Sequence, residues 1–130
     1  MTKLKCYYAH TMISYGSTIE QDDIKLLENL GFLVINPNSE IIQSNFETYK
    51  QKYGSDSPME YFKKVIDECD IVIFRALPHG KIPSGIADEV QHALDHHIPV
   101  LELPVNTKKR MMSYSETKDY YITLGYYKHK

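Results

Sequence analysis

Residues 70–74, DIVIF, form an apolar run with no polar alternation, the pattern of a strand covered on both faces. Such a strand needs a helical layer on each side, and the rest of the chain supplies one. LKCYYA (4–9) is short, apolar and aromatic and reads as a first strand. After the loop HTMISYGS, Ser17-Thr18-Ile19-Glu20 has the make-up of a capping box. It opens a helix that carries Ile24, Leu27 and Leu30 and stops at Gly31. FLVIN (32–36) is a second buried strand, ended by Pro37. Residues 38–56, with EIIQSNFETYKQKY at their centre, read equally as a helix or as an ordered insertion.

Ser57-Pro58-Met59-Glu60 then combines an N-cap, a proline at the first helical position and a capping glutamate. Phe62, Val65, Ile66 and Cys69 form the apolar stripe of that helix. Beyond the DIVIF strand, the loop ALPHGKIPSG leads to a helix over about 85–97, and PVLEL (99–103) is a fourth strand. Ser113-Tyr114-Ser115-Glu116 opens a last helix ending near Gly125. Strands alternating with helices in this way predict a parallel α/β sheet with helices on both faces.

At 130 residues and 42% hydrophobic, the chain has the size of one domain over 1–130. No stretch approaches the roughly 20 apolar residues of a membrane span, and MTKLKCYYAH lacks a signal peptide's apolar run, so a cytoplasmic protein without a membrane partner is expected. A net charge of −2 gives no footprint for a nucleic-acid polymer, and Lys108-Lys109-Arg110 reads as a solvated loop. Cys6 and Cys69 lie in apolar segments and read as buried small hydrophobes. His79, His92, His96 and His97 do not read as a metal set: His92 and His96 share a helix face, but no third ligand is evident. Neither a metal nor a cofactor is expected.

Ligands of parallel α/β sheets bind outside the carboxyl ends of the strands, near the switch in strand order. The loops 9–17, 36–57 and 75–85 are therefore expected to share one rim. Taking the helix from Gly85 at 100° per residue, Ile86, Val90, Ala93 and His97 fall in one arc with Leu94 beside it. Asp88 points nearly opposite. Glu89 lies at the boundary of that arc, in what this register makes the first helical turn and next to the rim. It is either an ordinary helix-start carboxylate or one that faces a ligand.

With these elements in hand, the chain resembles the nucleoside 2-deoxyribosyltransferase-like superfamily, which includes the 2'-deoxynucleoside 5'-phosphate N-hydrolases. The resemblance covers most of the chain. Its residues are Tyr7 and Tyr8 before a Ser- and Gly-containing loop, the INPN end of strand two, ECDIVIF, and Gly85 with Glu89 four residues on before IPVLEL. Tyr15 and Glu20 echo a Tyr-x-x-x-x-Glu arrangement of small members. The resemblance implies a flavodoxin-like doubly wound sheet of four to five strands, a homo-oligomer, and a small-molecule nucleoside or nucleotide partner. It also implies a glutamate, here Glu89, that attacks the anomeric carbon. Cleaving an N-glycosidic bond builds oxocarbenium character, which a carboxylate stabilises and can trap as an ester.

Other positions follow from the resemblance or from the rim. Tyr7 is favoured over Tyr8 as the ligand contact. Asp70 matches a position that is often Asp in relatives, with a catalytic or a structural role at the sheet edge. Transferases often carry an acidic residue two positions before the Gly, where this chain has Pro83, which turns the expectation toward hydrolysis. Glu20 and Asp56 are candidates for the acid by rim position only, and for Glu20 the capping-box role is favoured. His10 ends strand one and meets either a substrate or the fold. Ser14, Ser17 and Ser84 are candidate phosphate donors, and the Ser84-Gly85 amides open a helix, a ready anion site. Arg75 either supplies phosphate charge or makes an ion pair. The tail GYYKHK resembles segments that reach a neighbouring subunit. Two other functions fit the same residues: a non-catalytic nucleotide-binding module, and an NAD-cleaving glycohydrolase.

Overall fold

The computed structural model describes residues 2–54, 58–78, 80–104 and 110–126. Four strands, β1 (Lys5–Ala9), β2 (Leu33–Ile35), β3 (Ile71–Phe74) and β4 (Val100–Glu102), form one parallel sheet in the order β2-β1-β3-β4. This is the expected flavodoxin-like, doubly wound α/β arrangement. The chain turns outward on one side of β1 for β2 and on the other for β3. The switch point therefore lies between β1 and β3, paired in register as Tyr7↔Val72, Tyr8↔Ile73 and Ala9↔Phe74.

Alternation along β1 sends its side chains to two separate cores. Tyr7 and Ala9 pack with Ile66, Cys69, Val72, Phe74, Ile86 and Ala93, beneath α3 (Pro58–Asp67) and α4 (Ser84–Asp95). Cys6 and Tyr8 pack with Leu27, Ile73 and Leu103, beneath α1 (Thr18–Asn29). The ambiguous stretch is a helix, α2 (Glu40–Tyr53). Ser39 caps it by accepting the Ile42 N–H at 3.3 Å, and Gly54 closes it in the left-handed region at φ 64°. It fully buries none of its side chains, so no wide apolar stripe marks it in the sequence. Phe46 and Tyr49 pack at a tilt against Tyr61 of α3, with ring centroids 5.5 Å apart in each case, so aromatic contacts dock α2 on another helix.

Three expectations on the helices need correcting. Leu30 is exposed, because α1 buries Glu20, Asp23 and Leu27 instead. α4 starts one residue earlier than expected, with Pro83 as its N-cap, and ends at Asp95. Glu89 is therefore in the second turn, not the first. Leu94 is exposed, and His97 lies beyond the helix at φ 60°, outside the sheet-facing arc. The last helix, α5 (Tyr114–Thr123), has the complete Ser113–Glu116 capping box and fully buries none of its side chains. No helix among the described residues is long and apolar enough to cross a membrane.

Cys6 and Cys69 are buried and free. Burial, with help from the other thiol's charge, pushes Cys6 up to about 12; burial pushes Cys69 up to about 11. Since the thiolate is the reactive form, the native protein should release no thionitrobenzoate from Ellman's reagent at pH 8. In urea the same chain should release two equivalents within minutes. Fast labelling of the folded protein would mean that one of these strands opens readily.

Candidate active site

Parallel strands carry their carboxyl ends to one edge, so the loops after β1, β2 and β3 meet there as expected. The geometry at that edge is built from polar side chains paired between elements. Glu89, one turn into α4, is 7% exposed, and its Oε2 accepts a hydrogen bond from the Tyr7 hydroxyl of β1. Burial raises the Glu89 carboxyl to about 7, against the hydrogen bond from Tyr7, which lowers it; the charge of Asp88 adds to the rise. Tyr7 is itself raised, first by burial and then by that carboxylate. Asp88 is exposed, as expected.

Tyr15, on the loop after β1, stands between two carboxylates. Burial, then the charges of Glu89 and Glu20, push its phenol up to about 12. Its ring lies 4.9 Å from that of His10. His10 stacks on Tyr8, with centroids 3.9 Å apart, and its Nδ1 is 3.0 Å from the Tyr8 carbonyl oxygen. A carbonyl can only accept, so Nδ1 donates to it, and Nε2, 2.6 Å from Glu20 Oε2, donates to that carboxylate. Glu20 also accepts the Gly16 N–H at 3.1 Å and the Asn38 amide at 3.3 Å, from the loop after β2. Burial works against its ionisation, yet the bonds from His10, Gly16 and Asn38 outweigh it and hold the carboxyl below 4.5. Half of the expected capping box forms, since Ser17 accepts the Glu20 N–H at 3.2 Å. The Glu20 carboxylate is turned inward to His10 instead.

On the α1 face a second network closes the rim. Asp23, 4% exposed, accepts Tyr8 Oη at 2.7 Å and both Arg75 Nε at 3.0 Å and Nη2 at 2.6 Å. Arg75 Nη1 donates to the Pro104 carbonyl at 2.6 Å. The guanidinium is thus engaged in a partly buried ion pair. Next to it lies a cavity of about 430 Å³, lined by Thr11, Ser14, Ile19, Asp22, Arg75 and Pro104 among others. That volume suits a small ligand. Glu89, on the opposite face of the sheet, does not line it.

The structure therefore brings Tyr7, His10, Tyr15, Glu20 and Glu89 together and leaves other candidates apart. Ser14 is at the cavity wall, its hydroxyl donating to Thr11 O at 2.8 Å. Ser17 serves as the α1 cap. Ser84, exposed, and Gly85 begin α4, and a Cβ at Gly85 would only touch Met59 at 3.9 Å. Asp70 sits at the amino end of β3, the opposite edge, accepting the Lys5 N–H at 2.7 Å. It ties β3 to β1 and is far from the rim. Asp56, Ser57, His79, Lys108, Lys109 and the end of the tail from 127 lie outside the described residues.

Sequence reasoning missed Asp23 and Asn38. A signal for Asp23 was present: Glu20, Asp23 and Leu27 fall on one helical face, so two acids continue an apolar stripe toward the rim. Asn38 had no such pattern, since its partner is chosen by how β2 sits beside β1. No family model, curated protein or solved structure matches this chain.

Proposed function

We propose that this protein cleaves the N-glycosidic bond of a (deoxy)nucleoside or nucleoside 5'-monophosphate, with Glu89 as nucleophile and water as acceptor. The observation that carries the reading is the buried Glu89 carboxyl, aimed by the Tyr7 hydroxyl at the switch point of the sheet. A carboxylate oxygen adds to the anomeric carbon as the C1'–N bond breaks, and the bonding electrons leave with the base, which takes up a proton. Water then opens the glycosyl ester and restores the carboxylate. The sequence resemblance to nucleoside 2-deoxyribosyltransferase-like proteins supports this chemistry, and Pro83 supports hydrolysis over transfer.

The test is a chromatographic assay of purified protein against nucleosides, their 5'-monophosphates and NAD, with and without an acceptor base. Release of free base supports the proposal, base exchange turns it to transfer, and free nicotinamide selects the NAD-cleaving reading. One observation favours a second function, a nucleotide-binding module: the cavity of about 430 Å³ excludes Glu89. Binding without turnover across the panel would select it.

The nucleophile must be ionised, so kcat/KM should fall as pH drops below about 7, where Glu89 takes up its proton. Tyr7→Phe removes the hydrogen bond that favours the ionised form. It should move this acid limb up by about one pH unit and lower kcat/KM at pH 7 by about fivefold. At pH 9 the variant should approach wild type. A loss equal at every pH would mean that Tyr7 serves packing alone.

A further inference from the structure

We propose that Asp67, His92 and His96 form a binding site for one divalent transition-metal ion, of the Zn²⁺ and Co²⁺ class, that clamps α3 to α4. This inference is independent of the function proposed above. In sequence, His92 and His96 are an isolated i, i+4 pair with no third donor; the fold supplies one. Asp67, the last residue of α3, reaches His92 Nε2 with Oδ1 at 2.7 Å, and the two imidazoles lie 4.1 Å apart by centroid. One donor atom from each of the three residues lies within 4.8 Å of the others. Two histidines one turn apart on a helix are a spacing that binds zinc.

Protonation favours the same assignment. His96 Nδ1 is 2.8 Å from the His92 carbonyl oxygen, which can only accept. Nδ1 therefore donates to that carbonyl, which leaves Nε2 as the nitrogen that a metal would take. This is the arrangement by which a carbonyl orients metal-binding histidines. His92 Nε2 donates its proton to Asp67, and a metal ion would take that proton's place. Metal–ligand bonds of about 2.0–2.2 Å at tetrahedral angles need an N···O separation of about 3.3 Å. The contact must open by about half an ångström, which Asp67, with its side chain 48% exposed at a helix end, has room to do.

The electrostatics also favour a cation. α3 and α4 both run back against the strands, so their carboxyl ends meet here and add their negative dipole ends. Two imidazoles with one carboxylate select zinc-like ions over magnesium or calcium. The site is at the far end of α4 from the rim, so its effect is on how α3 and α4 hold together.

The experiment is titration of untagged, chelator-treated full-length protein with CoCl₂, followed by visible absorption, and with ZnCl₂ by calorimetry. The expected result is saturable binding of one ion per chain and a higher thermal midpoint with zinc. His96→Ala and Asp67→Asn, both at exposed positions, should each weaken binding by about tenfold or more. His97→Ala, a neighbour outside the cluster, should leave it unchanged. Absence of saturable binding, binding that persists in both ligand variants, or equal loss in His97→Ala would overturn the proposal. His92 and Asp67 would then be an ion pair only.

Discussion

Glu89→Gln should lose base release by about 10³-fold or more while becoming more stable at alkaline pH. On the proposed mechanism the rate loss follows from removing the carboxylate oxygen assigned to attack on the sugar, the size of effect seen when a nucleophile is removed. Glutamine keeps the shape, and its Oε1 can still accept from Tyr7, so binding of substrate should persist. The stability change follows from the raised carboxyl. Glu89 titrates near 7 when folded and near 4.5 when unfolded, so the folded state holds an extra proton between those values. Its contribution is fully present below about 4.5 and is lost as pH rises through about 7. Above that, the buried charge costs about 3 kcal/mol. Glutamine never carries the charge but leaves an amide without an acceptor, so the net gain at pH 8 should be about 1–3 kcal/mol. Urea unfolding at pH 8 and pH 5 checks it: the gain should shrink at pH 5. A variant that retains turnover would make Glu89 an ordinary buried acid. A variant less stable at pH 8 than wild type would mean that water reaches the site and the carboxylate is not desolvated.

The second large effect is on folding alone. Arg75→Ala should destabilise the protein by about 3 kcal/mol or more, because it leaves the Asp23 carboxylate buried with only the Tyr8 hydroxyl as partner. Asp23→Asn removes the charge along with the pair, so the double variant should recover part of the loss. The resulting coupling is the term that a double-mutant cycle measures. Arg75→Lys should not rescue, since an ammonium cannot offer two parallel donors to the two Asp23 oxygens while a third reaches Pro104. If the single alanine variant costs under about 1 kcal/mol, the pair behaves as a surface bridge and Arg75 is free to serve a ligand.

Much of this architecture is legible before any fold is known. Ser17 and Ser113 cap their helices where the sequence grammar puts them, because capping is a contact over three residues. DIVIF reads as a strand because covering both faces demands an unbroken apolar run. The site was legible in part. Glu89, Tyr7, His10, Tyr15 and Glu20 could be placed at the rim from topology and resemblance, but their partners could not. Glu20 shows why: its spacing from Ser17 is that of a capping box, yet the stronger donor, His10, lies on a strand ten residues back.

The sequence by itself determined the alternation of strands and helices, the parallel sheet and the edge at which its loops gather. These depend on local periodicity and on which segments must be buried. Only the tertiary structure decided the polar pairs: Tyr7 with Glu89 across 82 residues, Asp23 with Arg75 across 52, Asp67 with His92 across 25. Strand order and register set those separations. For Glu89 and Asp23 the partner matters because a buried carboxyl is costly until another element brings it a hydrogen bond.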